Sequence, residues 1–140
     1  MNLTFSWDKV RTMKKLMLIV MLVVMKSSFA GAAEKNTYKL NCVGTEPFWS
    51  IKVDGSKVEM SSTELSGKTT YWNAQTSEAA GAPLGTAFSV KATKDKGAKR
   101  IQLSIMNPGI EGCGDGMSEE VYKYQVLAEV SGVLLYGCCN

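Results

Sequence analysis

The sequence predicts an all-β fold, a small antiparallel β-barrel or sandwich of seven to eight strands stapled by disulfides. Three observations predict it. After residue 33, apolar side chains recur at every second position in most segments, and Gly-containing turns separate the runs at short intervals. No stretch sustains helical periodicity over three turns. Between the two β architectures the barrel is favoured, because closure removes the edges that a short chain has little else to cover.

The chain has 140 residues, enough for one domain. Its first 33 residues read as a leader. Met13-Lys14-Lys15 precedes ten uninterrupted apolar residues at 16–25, and small residues follow, as in a secretory signal peptide. A bilayer-spanning helix needs about 20 apolar residues, so this run is too short to anchor the protein. Cleavage is expected between Ala30 and Glu34, and Met13 suffices as the initiator. No cysteine lies near the cleavage region to accept a lipid. The processed domain, 34–140, is expected to be soluble in a periplasm or outside the cell, with no transmembrane segment.

The strands follow in order. A short one is expected at 38–43. Trp49, Ile51 and Val53 alternate with Ser50, Lys52 and Asp54, and Asp54-Gly55 turns the chain so that Val58 and Met60 return. A second short strand fits 69–72. Residues 73–85, rich in Ala, Ser, Thr and Gly, read as a long surface loop. Phe88, Val90 and Ala92 lead to a charged turn at 94–99, and Ile101, Leu103 and Ile105 lead back. The Gly- and Pro-containing segment 107–118 reads as a compact irregular loop pinned by Cys113. The alternation from Tyr122 to Val130 turns at Ser131-Gly132 and closes through Val133-Leu134-Leu135-Tyr136.

All four cysteines lie after the leader, which in an exported domain of this size points to two disulfides. Cys138 and Cys139 are neighbours in a strand, where successive side chains face opposite ways, so each needs a distant partner. Cys113–Cys138 with Cys42–Cys139 is the favoured pairing, and the swapped pairing stays open. A four-thiolate zinc site or a thiol oxidoreductase would call for C-x-x-C spacing, which this chain lacks.

Charge and histidine content narrow the function. There is no histidine, which removes the usual general base and every Ser-His or Cys-His arrangement. From residue 34 onward, eleven basic side chains face twelve acidic ones, so the apparent basicity belongs to the leader. The cluster Lys94-Asp95-Lys96-Gly97-Ala98-Lys99-Arg100 reads as a solvated hairpin tip, and no nucleic-acid partner is expected.

Two clusters are candidates for function. In Gly44-Thr45-Glu46-Pro47-Phe48-Trp49, Pro47 holds Glu46 extended just before a strand, and the two aromatics fall on opposite faces, one for the core and one for the rim. In Glu111-Gly112-Cys113-Gly114-Asp115-Gly116-Met117-Ser118-Glu119-Glu120, the acids do not follow the alternate-position pattern of a calcium loop. Asp115-Gly116 suits a turn, and Ser118-Glu119-Glu120 suits the start of a single helical turn. No metal or other cofactor is expected.

The string Cys42-x-Gly44-x-Glu46-Pro47-Phe48-Trp49, followed by Cys113-x-Asp115-Gly116-Met117-Ser118, Tyr122 and Gly137-Cys138, resembles the signature of an uncharacterised family of small bacterial envelope proteins and lipoproteins. The resemblance implies an exported all-β domain with a cysteine bridge near its end and no established activity. Members often carry a lipid-attachment cysteine, which this sequence lacks. The expected architecture is also similar to that of periplasmic lysozyme inhibitors, though their loop motif is absent here.

The expectation is therefore a non-enzymatic envelope domain that binds a protein or small ligand. Its candidate binding residues are Glu46, Phe48, Trp49, Asp115, Met117 and Ser118. The second reading is an inhibitor of a lysozyme-type cell-wall hydrolase. The third is a hydrolase using Glu46 and Asp115 as a carboxylate pair. No residue is assigned as catalytic.

Overall fold

The computed structural model describes residues 34–35, 37–65 and 67–140. The expected signal peptide and cleavage region, up to residue 33, lie outside the described residues. Among the described residues eleven strands are formed. They are β1 (Glu34–Lys35), β2 (Lys39–Thr45), β3 (Phe48–Asp54), β4 (Lys57–Ser62), β5 (Gly67–Glu78), β6 (Ala87–Lys94), β7 (Lys99–Met106), β8 (Cys113–Gly114), β9 (Val121–Tyr122), β10 (Tyr124–Val130) and β11 (Val133–Cys139). One 3₁₀ turn, Asp95–Gly97, caps the β6–β7 hairpin.

Eight of the strands close an antiparallel barrel in the order β5-β4-β3-β2-β11-β10-β7-β6, and β6 returns to β5. The period of two that marks the sequence is the reason. Leu40 and Cys42 on β2, Trp49, Ile51 and Val53 on β3, and Val58 and Met60 on β4 all turn inward, while the residues between them face out. With eight strands the interior is just wide enough for side chains to fill. Trp49, Met60, Tyr71, Phe88, Leu103 and Tyr124, all buried, fill it. Tyr38 stacks on Phe88 with ring centroids 4.1 Å apart, and Phe88 meets Tyr124 edge-on at 5.6 Å.

One segment departs from the sequence reading. Residues 73–78 are not loop but the second half of β5, which pairs with β4 over its first half and with β6 over its second. Asn73, at φ 57°, makes the bulge that re-aims the strand, and the register shifts there between Trp72 and Gln75. Ala74 and Thr76 then turn inward. Their small, polar composition resembles a loop, but it belongs to the strand that closes the barrel. The true connection is 79–86, held by Glu78, whose carboxylate accepts from the Tyr38 hydroxyl at 2.5 Å and the Gly85 N–H at 3.2 Å. Burial first, then Glu78, pushes the Tyr38 phenol up to about 12.

Among the described residues, no helix is long and apolar enough to cross a membrane.

Candidate functional site

The candidate residues gather where the first and last barrel strands meet. The β2–β11 ladder carries only two register pairs, Cys138↔Val43 and Cys139↔Cys42, extended by a reciprocal main-chain pair between Asn41 and Asn140 at 2.8 and 3.0 Å. Covalent bonds reinforce it. Cys42 and Cys139 face inward and are bonded to each other across adjacent strands, with Cα atoms 4.0 Å apart. Cys138 faces outward and holds Cys113 of the long loop. The opposite orientations of two neighbouring residues thus place one disulfide on each face of the same seam.

Trp49 fills the seam from inside. A Cβ on Gly44 would fall 2.2 Å from its Nε1. One on Gly137 would fall 2.1 Å from the Val43 carbonyl oxygen and 2.6 Å from the indole ring. Glycine is therefore required on both strands for the indole to lie across them. Its N–H is buried without a protein acceptor, a cost the packing around the ring has to offset.

From outside, residues 107–123 form a strap over the seam. Cys113–Gly114 pairs with Val121–Tyr122 as a two-rung hairpin. The Cys113 sulfur lies 3.7 Å from the Tyr136 hydroxyl and 3.6 Å from the Gly137 carbonyl. At its far side, the Asp115 carbonyl accepts from the Thr45 hydroxyl at 3.3 Å, and the Lys123 N–H donates to the Asn140 side chain at 2.8 Å.

The turn of the strap is organised by the Asp115 carboxylate. It accepts from the Met117 N–H at 2.9 Å, the Ser118 N–H at 2.8 Å, the Ser118 hydroxyl at 2.9 Å and the Tyr122 hydroxyl at 3.3 Å. The two backbone donors, Met117 first and then Ser118, hold its pKa below the ordinary carboxylate value. This is also why Ser118-Glu119-Glu120 does not start a helical turn. Asp115 captures the N–H groups of 117 and 118, and the chain bends through 116–119 instead.

The six candidate binding residues therefore separate. Glu46 is exposed in the β2–β3 turn beside Pro47, with which it forms a cis peptide bond. Phe48 is 56% exposed, whereas Trp49 is 4% exposed and inward, so Trp49 supports the rim without presenting a surface. Met117 is exposed. Ser118 is exposed too, with its hydroxyl bonded to Asp115. The Thr45–Asp115 contact joins the β2–β3 turn to the strap. The Asp115 carboxylate is turned into its own loop, with both oxygens bonded there.

Several residues of this surface were not singled out from the sequence. Ile110 and Val121 are exposed apolar side chains on the strap. Beside the strap, a depression of about 440 Å³ crosses the outer wall of β6, β7, β10 and β11. It is floored by Ala87, Ser89 and Ser104 and walled by Met106, Leu127 and Tyr136. Alternation alone announces these residues only as outward-facing. That small and large ones align across four strands depends on the register, with Ser89↔Ser104, Ser104↔Leu127 and Leu127↔Tyr136 in one row.

Residues 107–140 carry five acids against Lys123 alone. Among the described residues, no group of three or more acidic, Cys or His side chains is placed to hold a metal ion. No protein-family model, curated protein or solved structure matches the chain.

Proposed function

We propose that the protein is an exported, non-enzymatic binding domain that engages a basic protein of the cell envelope through the strap and the neighbouring outer-wall depression. The observation that carries this reading is the strap itself. Exposed apolar residues (Ile110, Met117 and Val121) and unpaired acids (Glu111 and Glu119) stand on a loop already fixed by a disulfide, an Asp-centred turn and a hydrogen bond to β2. A loop held in one conformation loses little entropy when it binds. Two disulfides fit an oxidising compartment, which favours export. The resemblance to small bacterial envelope proteins points the same way.

Site-specific photo-crosslinking in the exporting cell tests it. A photoreactive side chain at 110 or 117 is expected to yield a discrete protein adduct, and one at 57, on a different wall, is not. Adducts of equal yield from both walls, or none from the strap, would reject the assignment.

The second reading, inhibition of a lysozyme-type hydrolase, is favoured by the acidity of the strap, since an enzyme working on an anionic wall presents positive surface. Titration of the oxidised protein against lysozymes of several types decides it. Saturation at one inhibitor per enzyme, lost in Glu119→Lys/Glu120→Lys, supports inhibition. Full lysozyme activity at micromolar excess rejects it.

A further inference from the structure

Acids outnumber bases over residues 107–140, and bases outnumber acids before them. Over residues 34–106, ten basic side chains face seven acidic ones. The strand register lines several of them up around an exposed tryptophan. Lys57, Trp72, Thr93 and Arg100 are consecutive partners across β4, β5, β6 and β7, so they form one outward row. Trp72 is 52% exposed, and the Lys57 ammonium lies over its ring at 5.8 Å from the centroid. One rung beyond, on the opposite side of the pleat and so over the mouth of the barrel, Lys94 and Lys99 stand directly opposite each other, an arrangement that destabilises a hairpin. Lys96 caps the same tip at φ 55°.

The basic field continues over the outer wall of β3, β4 and β5. There Glu59 faces Lys52 across one ladder, and its pKa is held below the usual carboxylate range first by its hydrogen bond from Lys57 and then by the charges of Lys57, Lys68 and Lys52. Only Asp54, Glu59 and Asp95 oppose this field along the β3–β4 hairpin and the β6–β7 tip.

We propose that this end of the barrel, Trp72 with Lys57 and Arg100 on its outer rim and Lys94, Lys96 and Lys99 at its mouth, docks the protein on an anionic lipid surface. Charge complementarity selects the partner. A cluster of cations is attracted to acidic head groups, and an amphipathic indole among them suits the depth at which head groups meet acyl chains. The like-charged Lys94–Lys99 rung opposes folding and is relieved when anionic head groups neutralise it. The strap lies at a different seam, so its acids stay clear of the bound lipid. This inference stands apart from the strap's partner, and either one can fail alone.

The test uses the oxidised full-length chain with vesicles of phosphatidylglycerol mixed with phosphatidylcholine, and with vesicles of phosphatidylcholine alone. Trp72 emission is isolated as the difference between the chain and its Trp72→Phe variant. Expected are a salt-sensitive preference for the anionic vesicles and a blue shift of the Trp72 component on them. Residues 1–33 carry five bases against one acid and favour anionic vesicles themselves, so the deciding readouts are the Trp72 component and the loss on Lys99→Glu, in chains that share that segment.

Lys99→Glu is the informative variant, because it turns the like-charged rung into an oppositely charged one. It is expected to raise the melting temperature while weakening anionic vesicle binding roughly 25-fold, at about fivefold per unit of charge. A role in stability alone would leave vesicle binding unmoved. Equal binding to both vesicle types, an unshifted Trp72 component, or undiminished binding by Lys99→Glu would each overturn the proposal. So would binding to soluble dextran sulfate without binding to vesicles, which would assign the face to an anionic polymer.

Discussion

The β6–β7 seam and the β2–β11 seam solve the same problem by different means. The first joins strands adjacent in sequence through a short tip and carries eight register pairs, from Ala87↔Met106 to Lys94↔Lys99. The second joins the first and last barrel strands and carries two, together with both disulfides, the strap and the Trp49 wedge. Loop-closure entropy rises with the length of chain between the partners, and hydrogen bonds at the second seam are few. Covalent closure is concentrated where backbone pairing is weakest. The same place also carries the most irregular surface, because a strap fastened over a seam need not follow the pleat of a sheet.

The largest expected effect follows from that comparison. The Cys42–Cys139 bond spans 97 residues and Cys113–Cys138 spans 25. The chain-entropy estimate gives upper values of about 4.7 and 3.5 kcal/mol for them. Cys42→Ala/Cys139→Ala is therefore expected to lower the urea midpoint more than Cys113→Ala/Cys138→Ala, against a total stability of about 5–15 kcal/mol. Equilibrium unfolding of the two double variants checks the order. A reversed order would mean that the strap, not the inner bond, closes the barrel.

Next come the glycines under Trp49. Alanine at Gly137 meets the Val43 carbonyl oxygen, a main-chain atom of the opposing strand, and is expected to destabilise by about 1–3 kcal/mol or more. At Gly44 the three atoms nearest an added Cβ all belong to the Trp49 side chain. Trp49→Phe should therefore rescue much of the Gly44→Ala loss and little of the Gly137→Ala loss. Double-mutant cycles on thermal unfolding measure the two couplings. Equal rescue at both positions would show that the strands part freely, and that the indole rather than the seam sets the spacing.

These two seams were not equally legible in the sequence. The β6–β7 hairpin is written in its alternation: Phe88, Val90 and Ala92, a charged turn, then Ile101, Leu103 and Ile105. The opposed faces of Cys138 and Cys139 follow from the same period of two, and that narrowed the disulfides to two pairings. It also separated Phe48 from Trp49 without saying which is inward. The second half of β5 was hidden because Ala74 and Thr76 are small, and because a bulge at Asn73 breaks the alternation where the strand changes partners. The strap resisted for another reason. Side chains and carbonyls hold it (the Asp115 turn, Thr45 and Cys138), and such contacts leave no periodicity. Asp115 read as a candidate acid, but its neighbours at 117 and 118 make it the centre of a turn.

A smaller effect concerns the strap alone. Because backbone donors hold the folded pKa of Asp115 below its unfolded value, its contribution is present above the ordinary carboxylate range and is lost as pH falls through the lower folded value. The Met117 and Ser118 amides should therefore lose hydrogen-exchange protection in acid before the barrel amides do. Asp115→Ala should remove their protection at neutral pH with little change in melting temperature. Simultaneous loss of strap and barrel protection would mean that the two seams unfold as one unit.

The smallest effect tests the opposite seam. Lys96 holds φ 55° at the β6–β7 tip, where a residue with a Cβ is strained by about 1–2 kcal/mol. Glycine removes that strain, but its freer unfolded chain opposes the gain by about 0.5–1 kcal/mol. Lys96→Gly is thus expected to stabilise by under about 1 kcal/mol, read as a small rise in the urea midpoint. The β6–β7 tip shares no partner with the disulfide seam, so the gain should be the same in the Cys42→Ala/Cys139→Ala background. A gain that vanishes there would mean that the tip matters only once the far seam has closed, and the two seams would then be successive steps of one closure rather than independent solutions.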